Sequence, residues 1–211
     1  MSNEFGYIPE SPEQSFGNNK GIFTPTDIYD LTRADKYTNY GQLELIETQT
    51  FSGVSTVDFT SIQESTYNVH FLTLSDIKHT SASGFTGLQF YESGVLETAN
   101  VYQRATQYNE SNGTNGELKS TGDNEFLLTY NVNGLITGDL ESGYVYLYNL
   151  GDSSKYSFMT QQVIFMDNTV FKMSFGSGVL PQASTVDGFR LQFDGADTSG
   201  TVSLYGIKEY S

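Results

Sequence analysis

The sequence predicts an all-β fold, an antiparallel β-sandwich of about ten strands that follows an extended N-terminal arm. Aromatic residues make up 14% of the 211 residues, as 15 Tyr and 15 Phe with no Trp. The 21 glycines and the many Thr, Ser and Asn residues are typical of strands joined by tight turns. Apolar and polar residues alternate with a period of two over many short segments, and no helical stripe is long enough for a βαβ crossover.

The charge balance limits the classes of partner. The chain carries 25 Asp and Glu against 10 Lys and Arg, a formal net charge of -15. Phosphate backbones would repel such a chain, so nucleic acid is not an expected partner. The acidic residues are dispersed, which indicates a solvated surface. There is no cysteine for a disulfide, a thiolate zinc site or a nucleophile, and neither a basic leader nor an apolar run that predicts membrane insertion.

Residues 1–41 are predicted to form the arm, and residues 42–211 the β-sandwich. Three of the four prolines lie in the first 25 residues, which lack helical or strand periodicity. The arm carries too many large apolar side chains for a solvated tail, and we expect them to dock on a neighbouring subunit; the alternative is a strap on the chain's own sheet. They are Phe5, Tyr7, Ile8, Phe16, Ile22, Phe23, Ile28, Tyr29 and Leu31.

One local element is predicted within the arm. Thr24, Pro25 and Asp27 supply an N-cap hydroxyl, a proline at the first helical position and a carboxylate three residues after the cap. This pattern predicts a short helix from about Pro25 to Leu31.

From Leu43 onward, alternating segments recur with turn residues between them. Tyr144, Tyr146 and Tyr148 fall on one face of a strand, opposite Val145 and Leu147. Eleven such segments predict the strands: Leu43–Thr48, Val54–Phe59, Tyr67–Thr73 (with Tyr67, Val69 and Phe71 on one face), Leu88–Tyr91, Val101–Ala105, Phe126–Asn131, Tyr144–Tyr148, Tyr156–Phe165, Val170–Phe175, Phe189–Phe193 and Val202–Ile207.

Three connections are predicted between the strands. Asp167 and Asn168 form a two-residue hairpin turn, because Asn and Asp tolerate positive φ. Asp194–Gly200 is expected to be a longer hairpin loop that links the last two strands. Tyr108–Asn124 is polar and rich in turn residues, so it is predicted to be the largest irregular segment.

Catalytic motifs are sparse. His70 and His79 have neither cysteine nor a second histidine at metal-ligand spacing, so a strand histidine and a surface histidine are predicted. No nucleophile elbow, dinucleotide-binding loop or phosphate-binding loop occurs. Acid pairs for a glycan hydrolase could come from Asp123 with Glu125, Asp139 with Glu141, or Glu92 with Glu97, but nothing marks out one pair. Asp194, Asp197 and Ser199 could offer oxygen ligands to calcium, but their spacing is not that of an EF-hand. We therefore predict no catalytic residue, cofactor or metal ion.

Three segments of the chain resemble a widespread group of tailed-bacteriophage virion proteins. Val186–Phe193 (VDGFRLQF) with Gly200–Lys208 (GTVSLYGIK) is similar to the closing hairpin of that group. Ile46–Thr60 (IETQTFSGVSTVDFT) is similar to its first hairpin. The arm, through Phe5–Pro9 (FGYIP) and Ser15–Phe23 (SFGNNKGIF), resembles the N-termini of marine and cyanobacterial phage structural proteins.

The resemblance implies a jelly-roll-like sandwich that serves as a capsid-decoration, fibre or tail-associated subunit, without catalytic residues. It implies docking on other virion proteins and on copies of itself, with a trimer expected by analogy, on the exterior of a particle assembled in the host cytoplasm. Two alternatives stay open. A host-surface adhesin that binds a glycan or receptor would use outer loops near Tyr102, Tyr108 and Asn112, and a polysaccharide-degrading enzyme would use one of the carboxylate pairs.

Overall fold

The computed structural model describes residues 23–34, 42–80, 84–130, 132, 138–194 and 197–209. The chain divides into two units, Met1–Gln42 and Leu43–Ser211. The described part of the first unit contains a helix, and that of the second contains the strands.

The predicted helix is present as α1, Pro25–Arg33, and is two residues longer than predicted. Its N-terminus is a capping box: the Asp27 amide donates to Thr24 Oγ1 at 3.2 Å, and the Thr24 amide donates to Asp27 Oδ2 at 2.8 Å. Each of these bonds satisfies a backbone donor that the helix itself leaves unpaired. The cap therefore confirms both the position of the helix and the reason for its start.

Thirteen strands are described. They are Leu43–Val54 (β1), Thr56–Phe59 (β2), Val69–Lys78 (β3), Thr86–Glu92 (β4), Val95–Leu96 (β5), Tyr102–Glu110 (β6), Asn115–Asp123 (β7), Phe126–Leu127 (β8), Glu141–Tyr148 (β9), Tyr156–Asp167 (β10), Val170–Ala183 (β11), Val186–Phe193 (β12) and Thr198–Ile207 (β13).

The strands form two antiparallel sheets with jelly-roll connectivity. The larger sheet has the order β1-β13-β3-β9-β10-β11-β6-β7, and the smaller has β2-β12-β4-β5 with β8 beside β4. The first two strands enter different sheets, and each pairs with one of the last two, β1 with β13 and β2 with β12. Strands that alternate between two sheets in this way define a jelly roll. The predicted jelly-roll-like sandwich is confirmed, and four strands extend its larger sheet.

Large apolar side chains fill the core of the sandwich. The rings of Phe59 and Phe189, from neighbouring strands of the smaller sheet, stack with centroids 4.9 Å apart. Leu72, Val145 and Leu204 are fully buried on strands of the larger sheet. Along most of β3, buried residues alternate with less buried neighbours, as a strand with one covered face requires.

Two of the three predicted connections are corrected. Tyr108–Asn124 is not one irregular segment, because Asn115–Asp123 (β7) pairs with β6 in an antiparallel hairpin. β7 was not predicted because a polar strand at the edge of a sheet has no alternation of apolar and polar residues. The last two strands are not a hairpin, since β12 and β13 lie in different sheets. β1 and β2 also lie in different sheets. The segment Ile46–Thr60, which is similar to a first hairpin, therefore connects the two sheets as well.

The hairpin between β10 and β11 is confirmed, with its turn displaced by one residue. Asp167 pairs with Val170, so Asn168 and Thr169 are the two central residues. Asn168 has φ of 57°, in the left-handed region that asparagine tolerates better than most residues.

Gly206 on β13 is required by the ring of Tyr67. A Cβ at position 206 would overlap three ring atoms of Tyr67, and the Tyr67 hydroxyl donates to Glu44 Oε2 at 2.6 Å, which limits movement of the ring. We expect Gly206→Ala to lower the free energy of unfolding by about 1–3 kcal/mol, the usual cost of overpacking. Urea unfolding measures it.

The cause is tested by a double-mutant cycle. In a Tyr67→Leu background, which removes the ring, the additional loss from Gly206→Ala should shrink by more than half. An equal loss in both backgrounds would contradict the steric explanation.

Candidate functional site

The outer face of the larger sheet carries a continuous group of aromatic side chains, which we name the aromatic face. Its members are Phe71 on β3, Tyr144, Tyr146 and Tyr148 on β9, and Tyr205 on β13. Their alternate neighbours, such as Val145 and Leu147, are fully buried in the core. Because the side-chain period of a strand is two, the same pattern that buries those aliphatic residues directs the rings outward.

The rings of the aromatic face touch one another across three adjacent strands. The Phe71 centroid lies 4.8 Å from that of Tyr146, 6.0 Å from Tyr144 and 6.2 Å from Tyr205. Tyr146 is in turn 5.8 Å from Tyr144 and 6.3 Å from Tyr148. These separations are those of interacting aromatic pairs, so each ring restrains its neighbour.

Hydroxyl and amide side chains hold the tyrosines from the next strand. The Tyr144 hydroxyl donates to Gln162 Oε1 at 3.0 Å, and the Tyr148 hydroxyl lies 3.1 Å from Thr160 Oγ1. Both partners lie on β10 and pair directly with tyrosines of β9, Gln162 with Tyr144 and Thr160 with Tyr146. The aromatic face is thus bordered by groups that can donate and accept hydrogen bonds.

Three adjoining depressions continue from the aromatic face toward β7, and we name them together the groove. Their volumes are about 500, 450 and 370 Å³. The depression of about 500 Å³ shares Thr160 and Ser177 with that of about 370 Å³, and Phe175 and Gly176 with that of about 450 Å³.

Small residues and the ring of Phe175 form the floor of the groove. Ser177 on β11 pairs with Ala105 on β6, and at Gly176 a Cβ would overlap the backbone of Ala105 and Thr106. A larger side chain at Ser177 or Ala105, which both point outward from the sheet, would fill the depression.

Few charges line the groove. Among the described residues that line the groove, only Arg104, Glu117 and Lys119 are of the charged types Asp, Glu, Lys and Arg. Arg104 donates to Asp123 Oδ2 from Nε at 3.2 Å and from Nη2 at 2.8 Å, and Lys119 Nζ lies 2.5 Å from Glu117 Oε2. Each cation therefore has a carboxylate partner, and the floor between them is uncharged.

The predicted arm residues fall into two sets. Phe5, Tyr7, Ile8, Phe16 and Ile22 lie outside the described residues. Of the others, Ile28 and Tyr29 are exposed, Tyr29 to 63%, while Phe23 and Leu31 are half-buried. The helix has no fully buried residue, so α1 presents apolar surface to solvent.

Two of the three predicted receptor-facing residues require correction. Tyr102 is fully buried on β6, so it is a core residue and not part of an outer loop. Tyr108 is half-buried on the same strand, and its ring lies 4.7 Å from that of Tyr130. Asn112 is exposed in the β6–β7 turn, where its Oδ1 accepts from the Thr114 amide at 2.8 Å. The structure does not bring these residues into one outward-facing site.

The two histidines are both buried. His70 lies on β3 with Nε2 2.8 Å from the Ile62 carbonyl oxygen, and burial lowers its pKa, which favours the neutral ring at neutral pH. His79, predicted to lie on the surface, is fully buried, with Nε2 3.1 Å from Glu141 Oε2. The prediction for His79 was wrong because the carboxylate that accompanies it is 62 residues away along the chain.

The three carboxylate pairs lie outside the groove lining or inside the protein. Glu141 and Asp139 are buried, and Asp123 is held by Arg104. Burial raises the pKa of Glu92, with a further rise from Glu97. Glu92 also accepts a hydrogen bond from Ser184. None of the pairs faces the groove with two solvent-accessible carboxylates.

Glu125, 9% exposed, gives a pH-dependent prediction. Burial first, and then the charge of Asp123, raises its pKa from 4.5 to about 7. Because the pKa of Glu125 is raised in the folded protein, the stability that its protonated form contributes is fully present below pH 4.5 and is lost as the pH rises through about 7. Between about pH 4 and pH 8, we expect the free energy of unfolding of Glu125→Gln to rise by about 1–3 kcal/mol relative to that of the wild type, after allowance for solvent screening.

The measurement is urea unfolding of both proteins across this pH range. Glu117→Gln, a substitution at an exposed carboxylate, serves as the control and should show no such gain. A constant difference between Glu125→Gln and the wild type would contradict the prediction.

Among the described residues no three His, Asp or Glu side chains gather closely enough to hold a metal ion. Asp194 and Asp197, considered above for calcium, flank two residues that are not described. In the described part of the chain no helix is both long and apolar enough to span a bilayer.

The sequence indicated part of the aromatic face and none of the groove. The alternation at Tyr144–Tyr148 was visible as a ladder of tyrosines, but Tyr205 and Phe71 join it only through strand pairing. The groove had no signal of its own, since Gly176, Ser177 and Ala105 resemble ordinary strand residues. An aromatic ladder beside a strand of Thr and Gln is the pattern that could have pointed to it.

Fold and site together define a jelly-roll sandwich with an aromatic-lined outer face. No protein-family model matches the chain, and no curated protein matches it. A solved structure of a Shewanella oneidensis MR-1 protein of unknown function has 8% sequence identity and a TM-score of 0.25, over 92% of this chain and 100% of that chain. A TM-score this low carries no argument about fold or function.

Proposed function

We propose that the protein is a non-enzymatic subunit of a tailed-phage virion, and that its sandwich binds a glycan on the aromatic face and in the groove. One observation carries the glycan-binding part: five rings linked by successive contacts lie on the outer face of the sheet, bordered by Gln162 and Thr160. The virion context rests on the resemblance of the two ends of the chain to phage structural proteins.

The chemistry of this face suits a sugar ring. A tyrosine offers an apolar ring against which a sugar can pack, and a hydroxyl that donates and accepts hydrogen bonds. Ligand sites generally combine aromatic side chains with a few precisely placed polar groups. Seven of the ten exposed large apolar side chains among the described residues lie on the larger sheet: Leu43, Leu45, Tyr144, Tyr156, Phe158, Ile164 and Phe171. Of these, Tyr144 belongs to the aromatic face and Phe158 lines the groove, and exposed aromatic side chains beside a depression are typical of a site of interaction.

A second role is supported by α1. The helix exposes Tyr29 and Ile28, and a short helix with exposed apolar side chains is a plausible anchor for docking on neighbouring virion proteins or on copies of this chain. Docking by the arm and glycan binding by the sandwich are compatible, because they use different residues.

The prediction is that Tyr146→Ala weakens glycan binding at least about tenfold, because truncation of a central aromatic anchor commonly costs more than 1.4 kcal/mol. Retention of the full chain by a panel of immobilised neutral and acidic polysaccharides measures it, followed by calorimetry with whatever binds. Tyr144→Ala, at a more exposed ring of the same face, should weaken binding in the same direction.

The matched control is Tyr29→Ala, which removes an exposed tyrosine from the other unit. It should leave glycan retention unchanged and reduce co-sedimentation with particles that lack this protein. Failure of every polysaccharide to retain the wild type, or equal retention of Tyr146→Ala, would overturn the glycan-binding part. Turnover of a retained polysaccharide would instead support the enzyme alternative.

A further inference from the structure

The groove is long enough for a chain of sugars. Its lining comes from β9, β10, β11, β6 and β7, which are consecutive neighbours in the larger sheet. With about 4.8 Å between neighbouring strands, these five strands span roughly 19 Å. One row of outward residues follows the groove across them: Tyr146, Thr160, Ser177, Ala105 and Lys119.

The contents of this row change from one end to the other. The rings of the aromatic face stand at the β9 end, and small side chains follow at Ser177 and Ala105. The parallel row supplies amides at Gln162 and Gln107, which both pair with Phe175 on β11. A ligand along the row would meet an aromatic platform first and then a shallow floor bordered by two amide groups with the Phe175 ring between them.

Charge selects among ligands of this shape. The chain has a net charge of -15, and each of the two cations that line the groove, Arg104 and Lys119, already has a carboxylate partner. An acidic polysaccharide would lose hydration of its carboxylates or sulfates there without gaining a free cation. Amide and hydroxyl groups, by contrast, exchange hydrogen bonds with neutral hydroxyls.

We propose that the groove binds an uncharged polysaccharide, which lies across the strands from the aromatic face toward β7. This inference deepens the proposed function and rests on it. The polymer is specified by chemistry: a neutral glycan with several consecutive sugar rings. A second copy of this chain is the competing occupant of the same face.

The first test compares neutral with acidic polymers. The full chain is titrated by calorimetry with amylose, laminarin and dextran, and with alginate and polygalacturonate. We expect at least one neutral polymer to bind at least about tenfold more tightly than either acidic polymer. Its affinity should change less than about twofold between ~0.05 and ~0.5 M NaCl, because screening acts only between charges.

The second test blocks the groove without touching the aromatic face. Ser177 is exposed on the groove floor, and Thr50 is exposed on β1 of the same sheet outside the groove. Ser177→Trp should weaken binding of a long neutral chain at least about tenfold, whereas Thr50→Trp should leave it unchanged. Thermal unfolding confirms that both variants are folded.

The outcomes separate the two claims. Tighter binding of an acidic polymer that still depends on Tyr146 overturns the neutral specificity and leaves glycan binding standing. Equal binding by Ser177→Trp overturns the extended path and confines the ligand to the aromatic face. No binding by any of the polymers, with a self-association measured by light scattering that Tyr146→Ala abolishes, overturns both claims and assigns the face to a second copy.

Discussion

Glu141→Ala should lower the free energy of unfolding by about 3–5 kcal/mol, the cost of removing one partner from a buried ion pair or network. Glu141 is fully buried, and its Oε2 accepts from Thr86 Oγ1 at 2.8 Å and from Thr129 Oγ1 at 3.1 Å, with His79 Nε2 also at 3.1 Å. All four residues are fully buried. Without the carboxylate, three buried polar groups lose a partner at once.

The loss is large compared with the stability of a domain, which is about 5–15 kcal/mol. Urea unfolding followed by circular dichroism measures it, and reduced yield of soluble protein should accompany it. Glu117→Ala is the control, because Glu117 is an exposed carboxylate whose partner Lys119 is also exposed; its unfolding midpoint should not move. A Glu141→Ala variant within about 1 kcal/mol of the wild type would mean that the network contributes little.

Tyr102→Ala should lower the free energy of unfolding by about 3–5 kcal/mol, as truncation of a large buried aromatic residue does. The ring is fully buried and lies edge-on to Phe126, with centroids 4.8 Å apart. Its hydroxyl accepts from the Phe90 amide at 2.8 Å and donates to the Glu97 carbonyl at 3.1 Å. Burial also raises the pKa of this hydroxyl, which keeps it protonated as a donor.

The two parts of this contribution can be separated. Tyr102→Phe keeps the ring and removes only the hydroxyl, so the Phe90 amide is left without its acceptor and the loss should be about 1–3 kcal/mol. Tyr156→Ala, at a tyrosine that is 47% exposed on β10, should change stability by no more than about 0.5 kcal/mol. Equal losses for Tyr102→Phe and Tyr102→Ala would contradict a packing contribution from the ring.

The candidate site was less predictable than the fold because its residues come from separate parts of the chain. Tyr205 and Phe71 are more than 130 residues apart in sequence and become neighbours through the pairing of β13 with β3. The arm was predicted as a docking element from its apolar content, and that hypothesis still awaits its experiment. Tyr102, predicted for an outer loop, is in the core, since a single tyrosine in a short alternating segment does not reveal which way it points.

The sequence by itself determined the all-β class, the short helix with its Thr24–Asp27 cap, and the two-residue connection near Asn168. These depend on local interactions: backbone preferences, capping groups within four residues, and a side-chain period of two. Only the tertiary structure decided which face of each strand is buried, which sheet each strand joins, and which distant residues meet. Alternation defines two faces of a strand but not the one that a second sheet will cover. In this jelly roll the second sheet covers the face that carries Leu72 and Val145, and Phe71 and Tyr146 therefore lie on the surface.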